Sequence, residues 1–301
     1  MKVTLVGLGH VGKSLAFELA TSSFVDELVL MSRNQEAVMG EVLDLRHGQL
    51  FVEKPTRIIA GGDEDSAGSD ILAICASAPT PPGMKDRMQL APNNVALLRS
   101  LLPPLAGLSP KAKIVMVSNP VDVLVHYALE ITGFSPQQVM GTGTLVDSAR
   151  FRQLLADEIN IHMEDIRAYI LGEHGDSQFP AMSCADAGGE PLAPTPARYA
   201  LFEQASKAGF EVLRRKGYTN YAIALAAAKI IECIARDTKH TLPISIAVDG
   251  FLGVNEVCLS LPAVVGRGGV EQILHPLLDA KEQADFRHSA ELVKKVIDAC
   301  R

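Results

Sequence analysis

Residues 6–12, "VGLGHVG", decide how the first half of the chain is read. Gly7, Gly9 and Gly12 stand there in G-x-G-x-x-G spacing. The run before them, "VTLVG", has the apolar texture of a strand, and "VGKSLAFELATS" after them has helical apolar spacing. In a strand–turn–helix context each glycine has a physical reason. Gly7 permits the tight turn, Gly9 lets the backbone approach a pyrophosphate, and Gly12 allows close helix–strand packing; the helix N-terminus attracts the phosphates. The stretch predicts a dinucleotide-binding turn.

The next strand and its edge, "LVLMSRNQEA" at residues 28–37, speak to which dinucleotide. A carboxylate at this point would accept bonds from the ribose hydroxyls of NAD and repel the 2′-phosphate of NADP. Ser32 and Arg33 stand there instead. The serine removes the repulsion and offers a hydroxyl, the arginine offers a planar fork suited to phosphate, and Asn34 adds a donor. The expected cofactor is NADP (NADPH), with NAD possible.

Further along, "ELVLM", "DILAICAS", "KIVMVSNP" and "QVMGTG" read as strands, and "EAVMGEVLDLRHG" as a helix closed by Gly48. Short apolar runs alternating with helices predict a buried parallel sheet with helices on both faces. After Gly143 the texture changes to long helices, a few mixed strands and the connector "GGEPLAPTP". The expected fold is α/β: a Rossmann doubly wound parallel sheet over residues 1–142, followed by a mixed α+β catalytic domain over 143–301. No flexible linker separates them, so they are expected to pack as one unit.

The 301 residues are 48% hydrophobic with net charge −7, which argues against nucleic acid or an anionic membrane as the main partner. Cys75, Cys184, Cys233, Cys258 and Cys300 are scattered without C-x-x-C or zinc spacing. They read as reduced thiols of a cytoplasmic protein with no metal site. The N-terminus runs straight into a strand pattern, with no signal-peptide layout. The most apolar helix pattern, "YAIALAAAKIIECIA", is interrupted by Lys229 and Glu232 and reads as core, not membrane span.

Four separated pieces share one chemistry. "LGEHGDSQFP" carries His174, "VDSAR" carries Asp147 and Arg150, "VSNPVDVL" carries Asn119, and "PPGMKDRMQL" carries Arg87. Asp147 and Arg150, at i and i+3, share a helix face. Each residue alone reads as an ordinary polar or surface group; beside a cofactor turn the set acquires meaning. A hydride arriving at a carbonyl carbon requires a proton donor at the oxygen, and histidine titrates in the useful range. A carboxylate on its other nitrogen fixes the tautomer, one arginine can fork onto a substrate carboxylate, and a second can polarise the carbonyl.

These stretches, with "GEVLDLRHG", "GTLVDSARFR", "KGYTNYAIA" and "RHSAELVKK", resemble the L-lactate/malate dehydrogenase family from end to end. The resemblance implies an oxidoreductase acting on an L-2-hydroxy acid and its 2-oxo acid, as a homodimer or homotetramer. It implies that His174 donates and accepts the proton with Asp147 as its partner, and that Arg150 clamps the substrate carboxylate. Arg87 would close with a mobile loop and polarise the carbonyl. Asn119 would bond the reacting oxygen and help place the nicotinamide, and Thr219 and Ile223 would line the substrate side chain and nicotinamide region.

Two departures bear on specificity. Most relatives place an aspartate where Ser32 and Arg33 stand, and the pair resembles the solution of NADP-linked members. Three residues, not two, separate Gly83 from Arg87, and the family's specificity position falls on Thr80. Without an arginine there, the second carboxylate of oxaloacetate lacks its fork; Lys85 could substitute. The neighbouring Pro79, Pro81, Pro82 and Met84 suggest an apolar pocket. The expected activity is an NADP(H)-dependent 2-oxo acid reductase favouring uncharged side chains larger than methyl. L-lactate or NADP-malate dehydrogenase is the alternative, and a non-catalytic dinucleotide-binding protein the reading from a different class. Arg152 and Arg167 match positions that form a basic site in fructose-bisphosphate-regulated relatives, although aligned glutamates or ordinary surface pairing are the favoured account of them.

Overall fold

The computed structural model describes residues 1–79 and 87–301. The expected specificity residue Thr80 lies outside the described residues, as do Lys85 and the side chain of Arg87.

The chain begins with β1 (Lys2–Val6), α1 (His10–Thr21), β2 (Glu27–Met31), α2 (Gln35–Gly48) and β3 (Arg57–Ala60). It continues with β4 (Ile71–Ile74), a short 3-10 turn Arg87–Leu90, α3 (Ala91–Leu108), β5 (Lys113–Met116), α4 (Val121–Thr132) and β6 (Val139–Gly141). The strands are almost wholly buried, which is why they read as unbroken apolar runs rather than alternating ones. They pair in parallel in the order β3-β2-β1-β4-β5-β6. The order reverses between β1 and β4, and the crevice outside the strand ends at such a reversal is where open α/β sheets take ligands.

The second half contributes α5 (Leu145–Ile159), the two-residue strands β7 (Ile166–Arg167), β8 (Ile170–Leu171), β9 (Phe179–Pro180), β10 (Asp186–Ala187) and β11 (Glu190–Pro191), then α6 (Pro196–Lys216) and α7 (Tyr221–Arg236). It ends with β12 (His240–Asp249), β13 (Asn255–Gly266), β14 (Gly269–Ile273) and α8 (Ala280–Ala299). The sheet does not stop at the change of texture. β12 joins β6 antiparallel, with Ser245 opposite Gly141, and β13 and β14 extend the same sheet. One large apolar cluster therefore runs through both halves, from Val3 and Leu30 to Leu259 and Ile297. A smaller one under α5 and α6 gathers Phe151, Leu155, Ile166, Met182 and Leu192.

α2 ends at Gly48, the residue expected to close it; the glycine is not left-handed (φ −72°), and the chain continues into a 3-10 turn over Gln49–Phe51. β3 was not anticipated, because "RIIA" offers only a four-residue edge run with one fully buried residue. Among the described residues, no helix is long and apolar enough to cross a membrane, and no cluster of His, Cys, Asp or Glu could hold a metal ion. The five cysteines are free.

Candidate active site

The glycine turn is built as a cradle. Gly7 has φ +101°, and a Cβ there would lie 2.4 Å from the Ala76 nitrogen, so only glycine fits. A Cβ on Gly12 would collide with the Gly7 carbonyl oxygen at 1.8 Å, so the close approach is between α1 and the turn itself. A Cβ on Gly9 would meet nothing within 4 Å. The backbone there borders open space, and α1 begins with no side-chain cap and no acidic residue in its first turn. Uncapped N–H groups beside open space suit an anionic diphosphate.

The Gly7 N–H donates to the Met31 carbonyl (2.8 Å), which brings the end of β2 against this turn. Ser32 is half-buried, while Arg33 and Asn34 are exposed. Asn34 already has a structural duty: its Oδ1 accepts the Ala37 N–H (3.1 Å) as the N-cap of α2. Arg33 makes no hydrogen bond or ion pair among the described residues.

Across the sheet, one buried carboxylate organises the polar set. Asp147 sits in the first turn of α5, a favourable place for negative charge. Its Oδ2 lies 2.8 Å from His174 Nδ1, and its Oδ1 accepts from Arg150 Nη1 at 3.1 Å. The side chains of Asp147, His174 and Arg150 are 4%, 17% and 25% exposed, so the carboxylate is inside while its two partners reach outward. An ionised carboxylate only accepts hydrogen bonds, so His174 donates to it from Nδ1 and leaves Nε2 for proton exchange. The start of α5 is fastened to β8, three residues before the histidine turn. Thr144 Oγ1 donates to the Ile170 carbonyl (2.5 Å), and the Ile170 N–H donates to Ser148 Oγ (2.9 Å).

Asn119 follows β5. Its carbonyl accepts from Asn94 Nδ2 (2.6 Å), and its side-chain Oδ1 is buried without a hydrogen-bond partner among the described residues. A buried acceptor left open is costly unless a ligand satisfies it. Thr219 lies half-buried between α6 and α7, and Ile223 packs from the first turn of α7 against the main core.

Three residues that the sequence reading missed tie these parts together. Asp122, in the first turn of α4, accepts the His174 backbone N–H on Oδ2 (2.7 Å) and the Ser245 hydroxyl on Oδ1 (2.6 Å). Burial pushes its carboxyl up to about 6, against the lowering effect of those two bonds. Asn94, buried on α3, accepts the Ala78 N–H (2.6 Å) while donating to Asn119. Glu173 is buried beside His174, raised by desolvation, and held by the Ser177 hydroxyl and N–H. A signal for Asp122 was present, since "VDVLV" puts a carboxylate among apolar residues in the first turn of α4. Among the described residues Arg152 and Arg167 form no ion pair with a carboxylate; both donate to the Glu164 carbonyl, and Arg152 also to Met163.

Comparison with known proteins agrees over the whole chain. Residues 1–141 match the NAD-binding domain model of lactate/malate dehydrogenase, and residues 144–301 match the α/β C-terminal domain model of the same family. An L-lactate dehydrogenase of Synechococcus sp. (strain JA-3-3Ab) is 42% identical, with all of both chains covered. One of Gloeobacter violaceus is 37% identical, covering 99% of this chain and 93% of that one. The crystal structure of the minor L-lactate dehydrogenase from Enterococcus mundtii superposes with a TM-score of 0.94 at 30% identity, covering 100% and 98% of the two chains. A glycine cradle open at Gly9 and an unsatisfied Asn119 fit the nicotinamide dinucleotide that such an NAD-binding domain implies. The chain belongs to the lactate/malate dehydrogenase family, enzymes that interconvert 2-hydroxy and 2-oxo acids on a nicotinamide dinucleotide.

Proposed function

We propose that the protein is an NADP(H)-dependent L-2-hydroxyacid dehydrogenase working as a 2-oxo acid reductase. Residues 1–142 would carry the dinucleotide, and 143–301 most of the substrate-binding and catalytic groups. The observation that carries this reading is the shared carboxylate of Asp147, which holds both His174 and Arg150.

When bound, the reduced nicotinamide supplies the hydride to the substrate's C2 carbonyl. His174 gives its Nε2 proton to the carbonyl oxygen, and Asp147 stabilises the imidazolium before transfer and fixes the tautomer after it. Arg150 forks onto the substrate carboxylate, and Asp147 holds its guanidinium in register. Asn119 would offer its side-chain amide to the nicotinamide and the reacting oxygen, Arg87 would polarise that oxygen, and Thr219, Thr80 and Ile223 are the residues assigned to the substrate side chain and nicotinamide region.

The NADP preference rests on Ser32 and on the exposed Arg33 beside the glycine turn, a side chain with no partner among the described residues. With Asn34 Oδ1 committed to the cap, its Nδ2 remains as a donor. The substrate preference, for uncharged side chains larger than methyl, rests on Thr80 and the apolar residues around it in sequence. A second reading, L-lactate dehydrogenase acting on pyruvate, is favoured by the activity named for the relatives above. Assembly as a cytoplasmic homodimer or homotetramer belongs to the same proposal. Exposed apolar side chains such as Phe17 (61%), Phe51 (85%) and Leu225 (55%) support it.

The test is a matrix of initial reduction rates with NADPH and NADH across pyruvate, oxaloacetate, 2-oxoisocaproate and phenylpyruvate. Fast turnover of the bulky acids with NADPH is expected. Pyruvate fastest with NADH selects the lactate reading, and no turnover of any pair refutes both.

A further inference from the structure

His10 is the first residue of α1 and fills the position after Gly9 in the glycine turn. Its ring is stacked on Tyr218, with centroids 3.7 Å apart and planes 5° from parallel. Tyr218 comes from the far half of the chain, in the short connection between Gly217, the left-handed C-cap of α6, and Asn220, the N-cap of α7. A second contact closes the loop. Asn220 Nδ2 donates to Ser14 Oγ (2.7 Å), and the same hydroxyl donates to the His10 carbonyl (3.0 Å). Lys216 Nζ lies 4.8 Å from the Tyr218 ring centre and 3.8 Å from that of Tyr221, and it donates to Asn220 Oδ1. The connection is thus held at both ends against the first turn of α1, with Thr219 between the two attachments.

We propose that the His10–Tyr218 stack and the Asn220–Ser14 bond form a clasp that registers the Thr219 segment on the dinucleotide turn. His10 and Tyr218 are then positioning residues: they order the N-terminal turn of α1 for the diphosphate and set Thr219 in the same frame. The inference deepens the proposed function and rests on its placement of the dinucleotide and of Thr219. The physical ground is preorganisation. A connection flanked by a left-handed glycine is costly to order, and a clasp formed before binding removes that cost from the binding step. A flat stacked pair contributes about 0.5–1.5 kcal/mol beyond its buried area, equivalent to roughly 2- to 13-fold in affinity.

The experiment uses His10→Ala, His10→Phe, Tyr218→Leu and Tyr218→Phe in the full chain. NADPH and NADH binding is titrated by nucleotide fluorescence without substrate, and backbone hydrogen exchange is measured in the apo protein. Loss of the ring (H10A, Y218L) is expected to weaken binding by about fivefold and to speed exchange in residues 216–221 and 8–14 together. The ring-preserving variants H10F and Y218F are expected to stay within about twofold of wild type. Faster exchange at 216–221 in H10A is the decisive sign, since that segment is some two hundred residues away in sequence. The clasp is overturned if H10A leaves exchange at 216–221 unchanged, or if H10F binds as poorly as H10A. If the wild type binds neither dinucleotide, the proposed function fails, while the apo exchange result still decides the clasp.

Discussion

The polar set around Asp147 and the loop at Ser32–Asn34 are built on opposite principles. Asp147, His174 and Arg150 are inside or nearly so, share one carboxylate, and stand on elements fastened by Thr144, Ser148 and Asp122. Ser32 is half-buried and Arg33 and Asn34 are exposed, and the loop is held by the Asn34 cap and a bond from Gln35 Nε2 to the Ser32 carbonyl. The buried set is over-determined, so changing one member leaves another polar group unpaired in a poorly hydrated place. The loop is under-determined, so its residues can change without disturbing the fold. On the proposed function, chemistry would reside where substitution is costly, and cofactor choice where it is cheap.

Several substitutions would break or sharpen this contrast. The largest effect is expected for His174→Asn: turnover should fall by about 10⁴-fold, the upper end for loss of a general acid–base group, with NAD(P)H binding unchanged. Loss of binding together with turnover would make the histidine structural, and intact turnover would support a non-catalytic role for the set. Arg150→Lys replaces a planar fork by a point charge and weakens one bond of the shared carboxylate. It should raise the KM for 2-oxo acids by about a hundredfold or more, near 3 kcal/mol, with little change in cofactor Kd. A KM within threefold of wild type would remove Arg150 from the substrate.

Asp122 provides a test through stability. Its carboxyl is raised from 3.8 to about 6 by burial, so the folded state favours the protonated form. That contribution is complete below the unfolded value near 4 and is lost as pH rises through about 6. At about 1.4 kcal/mol per unit, roughly 3 kcal/mol disappears over this window. Asp122→Asn has no such titration, so its stability relative to wild type should improve by about that amount between pH 4 and pH 8, measured by urea unfolding. A difference flat with pH would mean that the carboxylate is not desolvated. The smallest effect belongs to the loop: Asn34→Ala should cost about 1 kcal/mol of stability as a lost helix cap and leave kcat unaltered. An unchanged urea midpoint would show that the cap contributes nothing.

Much of this was legible in the sequence, for identifiable reasons. The glycine turn could be read because Gly7 and Gly12 answer to backbone sterics, which leave no other residue type. The parallel strands could be read because double-sided burial writes an unbroken apolar run. β3 was missed because an edge strand carries half of that signal. The extension of the sheet through β12–β14 was not legible either, since the Ser245–Gly141 pairing by which β12 meets β6 leaves no mark in composition. His174, Asp147, Arg150 and Asn119 stood out as candidates through their combination, not singly, and the structure brings the first three onto one carboxylate. Asp122 and Asn94 escaped because they work through backbone N–H and carbonyl groups of other residues, and such partners have no sequence motif.

The central claim is that catalysis and cofactor choice are separable in this chain. The direct measurement is kcat and kcat/KM for NADPH and NADH in wild type and in the double variant Ser32→Asp, Arg33→Ile, with one 2-oxo acid at saturation. The account predicts wild-type preference for NADPH, a shift of the ratio toward NADH by about tenfold or more in the variant, and kcat within about twofold throughout. A ratio that does not move, or a kcat that collapses with it, would contradict the separation.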